Sequence, residues 1–286
     1  MKIIVTGATG FVGRYVVRQL CTSRHLVVAV ARDINRARAL PWYNQVNFIA
    51  HDLQNESWDW NKSTLPDVLI HLAWPGLPNY LDFFHIRKNL VSDLSFLESA
   101  VFAGVPRIIV AGTSLEYGMQ YGPLGEEIDT CPITPYGFAK DSLRKSLEML
   151  QLKVPFTLQW ARLFYMYGVG QNPNSLLSQL DRALTEGRKT FEMSVGDQLR
   201  DYLPIETVAR SFDWMVAHPE MGGVINCCSG KPISVLDLVN QHLARKNRSI
   251  ELVRGHYPYP DYEPLAFWGI PEKLRRYGFF ESVSDV

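Results

Sequence analysis

The chain has 286 residues, 47% of them hydrophobic, enough to bury a core as one large α/β unit or as a main domain with a smaller second lobe. Its 29 basic and 29 acidic residues cancel without forming a long charge run, which argues against a nucleic-acid surface or a polybasic membrane patch. No apolar run approaches the roughly eighteen residues of a membrane span and the N-terminus reads as a core strand, so the expected location is cytoplasmic. Cys21, Cys131, Cys227 and Cys228 show neither a paired framework nor metal-ligand spacing, so free thiols and no metal site are expected.

The first element, residues 2–5, is an apolar strand that runs into Thr6-Gly7-Ala8-Thr9-Gly10-Phe11-Val12-Gly13 and then a helical pattern over 14–22. A buried parallel strand that turns at once into a helix offers a pyrophosphate free N–H groups and the positive end of the helix dipole. Gly7, Gly10 and Gly13 let the backbone come close, in a G-x-x-G-x-x-G spacing and not the commoner G-x-G-x-x-G. The loop is therefore expected to hold a dinucleotide, with Thr9, Phe11 and Val12 among its contacts.

The second strand, over 27–30, leads into Ala31-Arg32-Asp33. An acid in the slot of Ala31 would accept from the adenosine ribose hydroxyls and repel a 2′-phosphate. Alanine stands there, and Arg32 follows with a guanidinium suited to a charge-assisted fork on phosphate, Arg14 being close enough to help. NADP(H) is the expected cofactor; NAD is the alternative if Asp33 faces the ribose. A third strand is expected to end in His51-Asp52-Leu53, where Asp52 either accepts from the adenine amine or caps a helix. Leu72 and Ala73, which close the fourth strand, are assigned to the cofactor wall, and His71 before them to a structural role.

Further strands at 107–110 and 156–160 alternate with helical stretches at 83–103 and 136–151. This alternation predicts an α/β fold with a Rossmann-type, doubly wound parallel sheet. Beyond about residue 165, Gly and Pro punctuate shorter elements. A Rossmann domain over 1–165 is expected, interleaved with a smaller C-terminal α/β substrate lobe over 166–286.

Chemistry enters with Thr113 and with Tyr136 and Lys140, four residues apart on one helix face. A phenol is a poor proton carrier at neutral pH unless a cation favours its phenolate, and Lys140 supplies one. Thr113, at a strand end, would hold a carbonyl oxygen. With the glycine loop, these segments resemble the extended short-chain dehydrogenase/reductase superfamily, in its NAD(P)-dependent nucleotide-sugar epimerase, dehydratase and reductase branch. The resemblance runs through His51-Asp52-Leu53, His71-Leu72-Ala73, Asn89, Thr113-Ser114-Leu115-Glu116-Tyr117-Gly118, Pro135-Tyr136-Gly137, Arg162 to Gly168 and Arg200-Asp201-Tyr202. It implies Thr113, Tyr136 and Lys140 as catalytic residues and Asn89, Tyr136 and Lys140 at the cofactor. It also implies a substrate site with Ser114, Tyr165, Asn174, Arg200 as the phosphate contact, and Tyr259 in a proline-fixed covering loop. A homodimer through a four-helix bundle of 83–103 and 136–151 is implied as well.

Two departures narrow the function. Ser114-Leu115 stand where dehydratases of the family carry Asp-Glu, and leucine transfers no proton. Tyr165 stands where an asparagine usually contacts the sugar nucleotide. The expected activity is NADPH-dependent reduction of the 4-keto group of a nucleotide-diphosphate-linked 4-keto-6-deoxyhexose. The alternatives are a 4-epimerase and a non-catalytic NADP(H)-sensing regulator.

Overall fold

The computed structural model describes residues 1–60 and 65–282. The chain opens with β1 (Lys2–Thr6), α1 (Phe11–Thr22), β2 (Leu26–Ala31), α2 (Ile34–Arg38), β3 (Asn47–Ala50) and β4 (Val68–His71). A π-helical stretch, His85–Leu90, leads into α3 (Val91–Ala103), then β5 (Arg107–Thr113), a 3-10 turn (Ser114–Tyr117), β6 (Gly122–Leu124), α4 (Pro135–Gln151) and β7 (Thr157–Leu163). Shorter elements follow: β8 (Tyr165–Tyr167), α5 (Leu176–Thr185), β9 (Thr190–Glu192), β10 (Leu199–Pro204), α6 (Ile205–Ala217) and β11 (Gly223–Cys227). The last are β12 (Pro232–Ser234), α7 (Val235–Arg245), β13 (Glu251–Val253), β14 (Phe267–Gly269) and α8 (Glu272–Arg276).

Seven strands form one parallel sheet in the order β11-β7-β5-β4-β1-β2-β3. Successive β1 side chains point to opposite faces, so Ile3 and Val5 enter one core with α1 and α6, while Ile4 enters the other with α3 and α4. Both faces are thus covered, which is why the strands read as continuous apolar runs. Each fully buried Ile, Leu or Val contributes about 1.5–3 kcal/mol relative to exposure. The chain leaves β1 toward β2 and β3 on one side and returns to β4, β5 and β7 on the other. A crevice therefore opens at the carboxyl ends of β1 and β4, the place where such sheets take ligands.

Two sequence expectations shift. The third strand stops at Ala50, so His51-Asp52-Leu53 lies in a turn held by the His51 N–H on the Ala31 carbonyl. The helix expected from residue 83 opens as the π-helix at His85, whose wider turn tucks His85 and Asn89 into the interior.

The smaller lobe has a three-stranded sheet, β12-β10-β8, and an apolar core in which Leu180 and Leu184 of α5 meet Val239 and Leu243 of α7. It draws on both halves of the chain, since β6 pairs with β14. Conversely, α6 and β11 return to the large sheet, where β11 is the strand beside β7.

Candidate active site

Gly7 sits at the turn out of β1 with φ +67°, and a Cβ there would lie 2.6 Å from the Ala73 nitrogen. At Gly13 a Cβ would fall 2.1 Å from the Gly7 carbonyl oxygen, so only glycine lets α1 pack on the loop. No side chain caps α1 at Gly10, which leaves its first N–H groups available to an anion. A cavity of about 550 Å³ opens from this loop along the ends of β2 and β4, lined by Gly7, Thr9, Gly10, Leu72 and Ala73 on one side and by Ala31, Arg32, Asp52 and Leu53 on the other.

Arg36, in α2, lines the same cavity as Arg32, which precedes that helix. Arg14, expected beside Arg32, lines neither half of the cleft: its guanidinium donates to the Val169 carbonyl and lies over the Phe11 and Tyr15 rings. Asp33 caps α2, its Oδ1 accepting from the N–H groups of Asn35 and Arg36. Asp52 accepts from the Gln54 N–H at 3.1 Å and from Asn55 at 2.8 Å. Burial opposes its ionisation, yet these bonds and the charges of Arg32 and Lys88 hold its pKa below the ordinary aspartate value.

Behind the wall, the Thr6 hydroxyl accepts from the N–H groups of Leu72 and Ala73 and therefore gives its proton to His71 Nδ1 at 2.9 Å. His71 Nε2 lies 3.0 Å from Asp93 Oδ2, and the ring is wholly buried. The expected structural role of His71 takes this form. Asn89 is also fully buried; it donates to the Pro75 carbonyl and accepts from Gln54, bracing the wall from behind.

A second cavity of about 670 Å³ continues from the first, sharing Gly7, Gly10, Arg36, Leu72 and Trp74. Phe11, Val12 and Gly13 line it from the loop side, and Thr113, Ser114, Tyr136 and Tyr165 from the other. Thr134 caps α4 by accepting from the Gly137 N–H, with Pro135 at the first helical position. Tyr136 and Lys140 consequently lie on the inward stripe of α4 with Leu143 and Leu147.

The Thr113 hydroxyl and the Tyr136 phenol line the same chamber. Burial, with Tyr80 and Glu116 nearby, pushes that phenol well above its ordinary value, and the Thr113 hydroxyl only partly offsets the rise. The lowering expected from Lys140 is not what the structure shows, because the Lys140 ammonium lies over the Trp74 ring, 3.8 Å from its centroid. Burial brings Lys140 down to about 8, against the pull of Asp93 and Glu116.

Thr113 is itself fixed from below. Fully buried Glu116 accepts from the Thr113 N–H at 2.8 Å, from Trp160 Nε1 at 3.0 Å and from Arg162 Nε at 2.8 Å. Breaking a buried pair of this kind costs about 3–5 kcal/mol.

Beyond Tyr165 the cleft reaches a third chamber of about 310 Å³, walled by Tyr80, Tyr167, Tyr202, Asn172 and Asn174. Two expected substrate contacts are absent from these linings. Tyr259 donates to Asp197, and Arg200 is 2% exposed, held by the Leu199 and Leu265 carbonyls and by Glu263 at 3.2 Å.

The model of the NAD dependent epimerase/dehydratase family matches residues 3–228. The chain belongs to this family. It is 30% identical over 275 residues to a dTDP-6-deoxy-L-talose 4-dehydrogenase (NAD(+)) from Aggregatibacter actinomycetemcomitans, covering 94% of this chain and 99% of the relative. Similarity to a GDP-6-deoxy-D-mannose reductase from Pseudomonas aeruginosa is 27% identity, over 83% of this chain and 78% of that one. The solved structure of MoeE5 in complex with UDP-glucuronic acid and NAD superposes with a TM-score of 0.82 at 27% identity, covering 97% of this chain and 93% of the other.

As a member of this family the chain is an NAD(P)-dependent enzyme of the extended short-chain dehydrogenase/reductase type. Three residues of its cleft went unread in the sequence. Arg36 was signalled only as a second arginine shortly after Arg32, and Trp74 only by following Ala73. Nothing local marked Glu263, an acid in a tyrosine- and proline-rich tail.

Proposed function

We propose that the protein reduces the 4-keto group of a nucleotide-diphosphate-linked 4-keto-6-deoxyhexose with NADPH. The observation that carries this reading is Tyr136: buried, and lining with Thr113 the cleft that begins at the glycine loop. The nicotinamide, when bound, supplies the hydride that adds to the carbonyl carbon. As the carbonyl π pair moves onto oxygen, the Thr113 hydroxyl donates to that oxygen and Tyr136 delivers its proton there. A phenol raised by burial keeps its proton at neutral pH, which suits a donor better than a base. Lys140, still charged at neutral pH over the Trp74 ring, holds the nicotinamide ribose in this reading.

Arg32 and Arg36 support NADP(H) over NAD, since the neighbouring acid, Asp33, spends Oδ1 on capping α2. The 4-dehydrogenase and reductase relatives support chemistry at C4 of a 6-deoxyhexose. A homodimer is supported by the outward faces of α3 and α4, where Val91, Phe102, Phe138 and Met149 are exposed.

Incubation with NADPH and the dTDP-, CDP- and GDP-linked 4-keto-6-deoxyhexoses, following absorbance of the reduced cofactor, tests the reading. Net oxidation supports it. Interconversion of C4 epimers without net oxidation replaces it with a 4-epimerase, and no reaction with any of the three overturns it.

A further inference from the structure

Arg200 ends in two differently used nitrogens. Nη1 is spent on backbone, donating to the carbonyls of Leu199 at 2.9 Å and Leu265 at 3.0 Å. Nη2 points to Glu263 Oε2 at 3.2 Å. The guanidinium is otherwise sealed, 4.5 Å from the Phe267 ring centroid and 5.7 Å from that of Tyr165. Glu263 is the group between Arg200 and the cleft: its side chain is 13% exposed and it lines the chamber that holds Tyr136 and Tyr165.

The charge inventory makes this placement consequential. Among the described residues, Arg36 and Glu263 are the only charged side chains lining the catalytic half of the cleft, and the tyrosine chamber beyond it has none. Arg36 belongs to the glycine-loop end. A substrate carrying a diphosphate therefore meets a carboxylate in this half, and the guanidinium behind that carboxylate is already paired with it.

We propose that Glu263 is a specificity-determining residue: it occupies Arg200 as an internal anion and yields it only to a ligand with a diphosphate. The proposal rests on the nucleotide-diphosphate substrate of the proposed function. A monoanionic ligand offers Arg200 no more charge than Glu263 already does, whereas a diphosphate brings at least two and can span the site. Release gives up the Glu263 tie between Arg200 and this loop and leaves the bonds from Nη1 to Leu199 and Leu265, so the loop is held less tightly. Tyr80 and Tyr165 line the same chamber as Glu263.

The test uses the full chain with NADPH present to fill the glycine-loop end, titrated with inorganic pyrophosphate and with orthophosphate by calorimetry. Glu263→Gln keeps an acceptor for Arg200 and removes the competing charge. The expected result is pyrophosphate affinity raised about fivefold or more, with a narrower preference over orthophosphate than in the wild type. Unchanged or weaker pyrophosphate binding, or no binding to either form, overturns the proposal. On the wild type, hydrogen exchange in peptides covering 257–266 is expected to quicken with saturating pyrophosphate, and unchanged or slower exchange overturns it independently of the variant. Pyrophosphate release of Glu263 without turnover of any sugar nucleotide would leave this inference standing and remove the proposed activity.

Discussion

The glycine-loop end of the cleft presents Arg32 and Arg36 to an open cavity, whereas at the tyrosine end Arg200 is 2% exposed behind Glu263. The first end is built from backbone: strand ends, a helix start and glycines whose missing side chains leave room. It is ready for an anion without rearrangement. The second end is built from side chains of the smaller lobe, and its cation is already neutralised. Affinity at the first end is thus set by fixed geometry, and selectivity at the second by a competition between charges. Between the two ends stand Thr113, Tyr136 and Lys140, and the sharpest way to separate them from both is to remove the proton donor alone. Tyr136→Phe is expected to lower kcat by about 10³-fold, within the range for loss of a general acid. Dinucleotide affinity, read by fluorescence titration, should stay within about twofold, because the ring keeps its packing. Activity equal to wild type would remove the catalytic role and favour a sensing function.

Gly13→Ala attacks the preformed end directly. Its Cβ would sit 2.1 Å from the Gly7 carbonyl oxygen, so either α1 or the loop must move. Overpacking of this kind costs about 1–3 kcal/mol, which predicts dinucleotide affinity reduced by about 5- to 150-fold. If titration shows the variant binding as tightly as wild type, the loop is less rigid than its geometry implies and the contrast between the two ends weakens.

These two residues were legible in the sequence for the same reason that the fold was. Apolar runs at 2–5 and 107–110, glycines at fixed spacing and a Tyr–Lys pair at i,i+4 are local patterns, and each imposes its geometry within a few residues. Arg14 shows where such inference stops: adjacency to the loop suggested the phosphate, but its guanidinium goes to Val169, 155 residues away in sequence. Arg200 likewise matched a motif, while its state depends on Glu263, 63 residues on. Tertiary pairing of charges carries no local signature. Nor did spacing reveal that Lys140 would lie over Trp74 or that burial would outweigh it at Tyr136.

Arg32→Ala sharpens the cofactor side of the comparison. A guanidinium on phosphate contributes about 1.5–3 kcal/mol, so NADPH affinity should fall by at least about tenfold while NADH affinity is unchanged. Titration of both cofactors with both proteins reads the ratio. Equal losses for the two would place Arg32 elsewhere than on a 2′-phosphate, and wild-type preference for NADH would return the chain to the NAD named for its relatives.

The smallest effect expected is in pH, and it falls on the residue between the two ends. Burial lowers Lys140 from its ordinary 10.5 to about 8, so the folded protein holds this proton at neutral pH and gives it up sooner than the unfolded chain does. If the proposed reduction uses the ammonium, kcat/KM should be flat well below pH 8, reach half near 8 and decline above it. Tyr136, held above its ordinary value, remains protonated across the same range and adds no second fall. For stability the sign is opposite. Between about pH 8 and 10.5 the unfolded chain binds the extra proton, so the contribution of Lys140 to unfolding free energy rises with pH, its burial penalty being full below 8 and gone above 10.5. Lys140→Met removes the charge and keeps the stem, so its gain in urea midpoint over wild type at pH 7 should shrink by pH 10. A gain that is constant across that interval would mean that the Trp74 contact, and not desolvation, governs the lysine.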